Sequence, residues 1–165
     1  MNVLSIDPGN EESGIVVLDS RTFRPVDFAK IANRQAERYL STSNAWDVAV
    51  LEMVASYGMP VGATVFETCV TIGRFEKILD LRGIRHERLF RREVKRHVCG
   101  VVSAKDSNVK AAMIERFAPT TPNGGKGYKK APGWFYGFKA DVWQAYALGV
   151  TWIDLQEEQC QRRDI

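Results

Sequence analysis

Three carboxylates in this chain sit against strongly apolar residues. Asp7 follows Val3-Leu4-Ser5-Ile6, Glu52 follows Val48-Ala49-Val50-Leu51, and Asp141 precedes Val142-Trp143. A charge in such surroundings is costly unless something pairs with it. A hard divalent cation is a natural partner, because Mg2+ takes oxygen ligands in octahedral geometry and keeps waters and substrate phosphate oxygens in its shell. Two such ions about 4 Å apart can activate an attacking water and stabilise the leaving oxygen of a phosphodiester. Taken singly, each acid also has a purely structural reading, since a negative charge near a helix N-terminus suits the macrodipole.

Positioning the acids requires a scaffold, and the apolar pattern supplies one. Residues 2–7 and 14–18 read as strands joined by the turn formers of Asp7-Pro8-Gly9-Asn10, and residues 24–31 as a third strand. A short helix over 33–39 precedes a buried strand over 47–52, which ends on Glu52. After a loop containing Gly58, Pro60 and Gly62, residues 63–81 place Val65, Phe66, Cys69, Ile72, Phe75, Ile78 and Leu79 at helical spacing. A strand over 84–90, helices over 92–98 and 107–117, and a last helix over 139–155 follow. The stretch 118–137 holds five Gly and three Pro and reads as a long loop. Strands first, then strands alternating with helices, predict an α/β domain with a mixed sheet over residues 1–155 and a polar tail over 156–165. Asp7 and Glu52 then lie at strand ends, where such sheets build sites, and Asp141 lies at the start of the last helix.

The 165 residues fit one domain. The longest apolar runs are far short of the roughly 18 residues of a membrane span, and the N-terminal residues carry no basic leader region. Three widely separated cysteines, Cys69, Cys99 and Cys160, suit a reducing cytoplasm better than a disulfide framework. His86 and His97 are too isolated for a zinc site. The net charge of +3 conceals an asymmetry: residues 82–116 carry +6 and residues 126–139 carry +4, between acidic flanks of −4 and −3. A basic middle beside an acidic site suggests a polyanion-binding surface, although a solvated charged face reads the same way.

Ser5-Ile6-Asp7-Pro8-Gly9 followed by Ser13-Gly14-Ile15 resembles the opening of the RuvC-like Holliday-junction resolvases, of the RNase H-like superfamily. Val50-Leu51-Glu52 is similar to that family's second acidic strand. The segment from Phe90 through Val94-Lys95, then Gly100 and Ala104-Lys105, resembles its basic stretch, and Asp141-Val142-Trp143-Gln144-Ala145 its closing helix. The resemblance spans about residues 3–150 in order. It implies an RNase H-like fold and a Mg2+-dependent endonuclease, with Mn2+ able to substitute, that acts on four-way or otherwise branched DNA as a homodimer. By the same resemblance Asp7, Glu52 and Asp141 are metal ligands, and Lys95 and Lys105 hold the scissile phosphate region. Arg91, Arg92 and Arg96 extend that basic stretch, and Tyr57 is the candidate wedge on bases at the junction centre. Gln144 departs from the family, which has a fourth carboxylate there; three residues from Asp141 on one helical face, it offers at most a neutral oxygen. Asp106 departs too, standing where a lysine is expected. The Gln144 departure and the spare length suggest a phage or prophage variant.

The loop from Asn123 to Phe138 looks longer than the family's usual connection and interleaves Lys126, Lys129 and Lys130 with Tyr128, Trp134, Phe135 and Tyr136. Lysines for phosphates and aromatic faces for bases suit branched or single-stranded DNA, while Trp134 and Phe135 can equally seal the core. The apolar helix over 63–81 is a plausible dimer interface, or equally core. Two rivals stand beside the nuclease: a non-catalytic branched-DNA-binding module of the same fold, and a fragment of an actin-like phosphotransferase, for which 165 residues are too few.

Overall fold

The computed structural model describes residues 1–163 apart from Tyr57 and Met59. Five strands form one sheet in the order β3-β2-β1-β4-β5: β1 is Asn2–Asp7, β2 Glu12–Asp19, β3 Pro25–Ala32, β4 Val48–Met53 and β5 His86–Phe90. The first three strands run antiparallel as a meander, whereas β1, β4 and β5 run parallel, so the sheet is mixed as the sequence predicts. The helices are α1 (Asn33–Thr42), α2 (Ala63–Leu81), α3 (Arg91–Cys99), α4 (Asp106–Phe117) and α5 (Val142–Arg163).

Side-chain alternation along each strand divides the core in two. Leu4, Ile6, Val17, Ala49 and Leu51 pack with Leu40 of α1 and Ile72, Phe75 and Leu79 of α2. Val3, Val16, Leu18, Val48 and Val50 face the other way, against Val94 of α3, Val109 and Met113 of α4, and the long apolar stripe of α5. Asp7 and Glu52 share the parity of this second set, so both acids emerge on the α5 face. Ser5, buried beneath α5, donates its hydroxyl to the carbonyl of Ala145 at 2.6 Å and ties β1 to that helix. Asp154 of α5 accepts from Arg116 of α4 at 2.6 and 2.9 Å and meets His97 of α3 at 2.8 Å. Burial opposes the Asp154 charge, but these two partners hold its carboxyl below the usual range. His97 is thus structural, and it locks α3 and α4 to α5.

Most elements shift by one to three residues from the sequence reading, and the last helix differs at both ends. The last helix starts at Val142 rather than 139, because buried Phe138 and a left-handed Ala140 (φ 33°) hold the chain in turns up to Asp141. It then runs through the polar tail to Arg163, since the Gln, Glu and Arg residues after Leu155 are good helix formers with no breaker among them. Within the Gly-rich stretch a two-residue pairing forms between β6 (Gly127–Tyr128) and β7 (Ala131–Pro132). Phe135 is buried, and Trp134 stacks on Phe117 at 5.3 Å and donates its indole N–H to the hydroxyl of Tyr146. The aromatic pair seals the core and leaves Tyr128 and Tyr136 exposed. No described helix is long and apolar enough to cross a membrane, and all three cysteines are free.

One glycine sets the approach of α5 to the sheet. A Cβ on Gly14 would lie 2.7 Å from the backbone of Asp141, closer than atoms can pack. Gly14→Ala should push the start of α5 outward and cost about 1–3 kcal/mol, the usual penalty for overpacking. Urea unfolding of the two proteins measures this, and an alanine variant as stable as wild type would show that the contact yields freely.

Candidate functional site

The sheet register assembles the site in a row. Lys30 of β3 pairs with Gly14 of β2, and Gly14 pairs with Asp7 of β1. The parallel register of Ile6 with Leu51 sets Asp7 beside Glu52, which in turn pairs with Leu89 of β5. Because residues in register point to one face, Lys30, Asp7 and Glu52 converge, and the bare Gly14 between them leaves room for Asp141. Asp141 is the residue before α5, and its carbonyl accepts the N–H of Ala145 as the first bond of that helix.

Asp7 and Glu52 line a cleft of about 250 Å³, together with Pro8, the chain after β4, Val65 and Thr68 of α2, and Arg91. Their side chains are only 14% and 8% exposed, so their charges are poorly solvated. Burial foremost, then the Glu52 charge and a hydrogen bond to the Glu52 carboxyl, push the Asp7 carboxyl up to about 9 against the pull of Arg91. Arg91 spans the site from the start of α3. One guanidinium nitrogen lies 3.0 Å from Glu52 and 3.9 Å from Asp7, and the other 2.9 Å from Asp106. Lys95, one turn on, pairs with Asp106 at 3.4 Å. Asp141 is held 2.9 Å from Lys30, which also meets Glu12 at 3.3 Å.

The expected residues therefore divide. Asp7 and Glu52 come together, with Arg91 and Lys95 close by, while Asp141 stands at the edge of the group, committed to Lys30. Among the described residues no three His, Cys, Asp or Glu side chains are grouped closely enough to hold a metal ion. The pair itself suits a hard divalent cation: two adjacent, buried carboxyls, of which Asp7 is pushed up by burial and by its neighbour Glu52. Gln144 lines a neighbouring cleft rather than the acid cleft. Lys105 is exposed just before α4, Arg92 is exposed on α3, and Lys129 and Lys130 lie at the tip of the β6–β7 hairpin. Tyr57 falls outside the described residues.

The sequence reading missed Lys30 altogether and met Asp106 only as a displaced lysine. Parity with Phe28 places Lys30 on the α5 face, but only the pairing register shows that it reaches Asp141. The two arginine contacts of Asp106 and Glu52 depend on tertiary packing that no local pattern encodes.

The Asp7 carboxyl makes stability pH-dependent in the metal-free protein. Its pKa is raised from 3.8 to about 9, so the folded chain keeps a proton that the unfolded chain releases above pH 4. Folding stability should therefore fall as pH rises across that window, by up to about 1.4 kcal/mol per pH unit. Asp7→Asn removes the titration, so in EDTA the variant should gain on wild type steadily between pH 6 and 8.5. Parallel urea curves at the two pH values check this, and identical pH dependence for both proteins would contradict it.

No protein-family model matches the chain, and no curated sequence does. Solved structures do. The chain is similar to the Thermus thermophilus RuvC structure with a TM-score of 0.67 at 16% identity, covering 96% of this chain and 97% of that one. It is similar to T. thermophilus RuvC in complex with a Holliday junction substrate at a TM-score of 0.67 and 14% identity, with 92% of each chain covered. At that level of identity the likeness lies in the fold, and the mixed sheet with its flanking helices is the RNase H-like architecture of RuvC, shared almost from end to end.

Proposed function

We propose that the chain is a divalent-cation-dependent endonuclease that hydrolyses phosphodiesters in branched DNA, four-way junctions foremost. The observation that carries this reading is the buried Asp7–Glu52 pair, with the Asp7 carboxyl pushed up by burial and by Glu52, and with Arg91 and Lys95 on its flank. The likeness to a RuvC solved on a Holliday junction supports the choice of substrate. Asp7 and Glu52 would hold Mg2+, or Mn2+ in its place, and Asp141 would join them on release from Lys30. Such a cation supplies water activation and neutralises charge on the departing oxygen of a phosphodiester. Arg91 and Lys95 are placed to exchange Asp106 for a phosphate of the substrate, giving position rather than sequence preference. Lys105 and Arg92 extend the same basic surface, and the cytoplasm is the compartment that such a substrate implies.

The protein acts as a homodimer in this reading, since a two-fold dimer offers two sites to a two-fold junction. Phe66 and Val70, one turn apart on α2, are 61% and 56% exposed and form an apolar face suited to a second copy. Phe66→Glu with Val70→Glu should convert dimer to monomer in light scattering and leave single nicks where wild type makes paired cuts. A variant that stays dimeric would move the interface elsewhere.

A second reading, a branched-DNA-binding module without catalysis, is favoured by the Lys30–Asp141 pair and the lack of a three-acid group among the described residues. Incubation of an immobile four-way junction and a linear duplex with Mg2+, with Mn2+ and with EDTA separates the two. The nuclease reading expects junction cleavage with either cation and none in EDTA, with Asp7→Asn slower by orders of magnitude yet still bound. Tight junction binding with no cleavage under any cation would establish the second reading.

A further inference from the structure

Beside the acid cleft lies a second cleft of about 320 Å³, walled by the start of α4, the segment around Phe138 and the start of α5. Lys110, Lys126 and Lys139 line it, and Gln144 and Trp143 contribute from α5. The acid on its wall, Asp106, is taken up by Arg91 at 2.9 Å and Lys95 at 3.4 Å. The three lysines therefore face the cleft with no carboxylate partner among the described residues, and the Gln144 amide has no hydrogen-bond partner there either. Lys110 lies 5.2 Å over the Trp143 ring, which leaves its charge available to a ligand.

Solvated surface lysines are common, but Lys126 is a half-buried residue on a closely packed stretch of backbone. Gly125 and Gly127 on either side adopt φ of +81° and +66°, and a Cβ at Gly127 would stand 2.4 Å from the carbonyl of Ala131. The buried Phe135 fixes the same segment to the core. Three lysines lining one cleft without a carboxylate partner make it a place for an anion, and Asp106 joins this cleft directly to the acid site.

We propose that this cleft is a subsite for the sugar–phosphate backbone of the DNA strand leaving the acid site, with Lys110, Lys126 and Lys139 on phosphates. Gln144, in place of a metal-ligating role, donates its amide to the same strand. The assignment rests on the nuclease reading for the direction of the strand, and on its own cleft for the ligand class.

The test is metal-free binding of the full-length protein to an immobile four-way junction and to a linear duplex, in EDTA, across a salt series. Lys110→Gln, Lys126→Gln and Lys139→Gln combined should flatten the slope of log affinity against log salt by about 2–3, at roughly 0.9 per phosphate contact. Lys129→Gln with Lys130→Gln, at the hairpin tip, should change it less per lysine. Gln144→Ala should weaken binding several-fold with the slope unchanged. An unchanged slope in the triple variant, or an equal change per lysine at the tip, overturns the subsite. If the triple variant does not fold, the exposed Lys139→Gln alone carries the test, with an expected change of about 0.9. If Gln144→Ala binds normally in EDTA and instead raises the metal concentration needed for cleavage, Gln144 is a metal ligand and leaves the subsite. Should wild type bind duplex as tightly as junction through a slope that the triple variant loses, the subsite stands and the preference for branched DNA falls; binding to neither removes both.

Discussion

Asp7 and Glu52 stand side by side because β1 and β4 run parallel in one register, and two carboxyls so placed cannot both ionise out of water without a positive partner. Much of the surrounding structure answers that constraint. Arg91 reaches in from α3 to balance one charge, and Asp106 steadies its far end. His97, Arg116 and Asp154 clamp α3 and α4 onto α5, so the cations that face the acids are held from behind. Ser5 and Gly14 bring α5 down onto the sheet close enough for Asp141 to add a third negative charge. The protein accepts this local cost at the ends of its strands, where a ligand can relieve it.

The elements that carry the pair were legible in the sequence because each rests on a local pattern. The Val3–Ile6 and Val48–Leu51 runs specify buried strands, and an acid closing each of them signals a site. What the sequence left open depended on distant partners. Lys30 looks like one more lysine on a half-exposed strand until the β2–β3 register sets it against Asp141. Trp134 and Phe135 fit a DNA surface or a core equally well, and only the proximity of Phe117 and Tyr146 decides for the core. Gln144 shares a helical face with Asp141, yet one turn of helix carries it past the acid cleft into the next.

The fold and the site rest on different kinds of information. The architecture is shared with RuvC at 16% identity across 96% of the chain, because it depends on apolar periodicity that many sequences satisfy. The acid cleft depends on individual side chains and their long-range partners: Asp106 between two cations, and Lys30 on Asp141.

The aromatic anchoring of the Gly-rich segment has a consequence for how the chain can change. A connection that merely looped over the surface could be trimmed or replaced with little effect. This one supplies Phe135 and Trp134 to the aromatic cluster around Tyr146, so shortening it would open a void between α4 and α5. The hairpin tip at Lys129 and Lys130, exposed and outside that cluster, is where insertions, tags or a proteolytic nick are best tolerated.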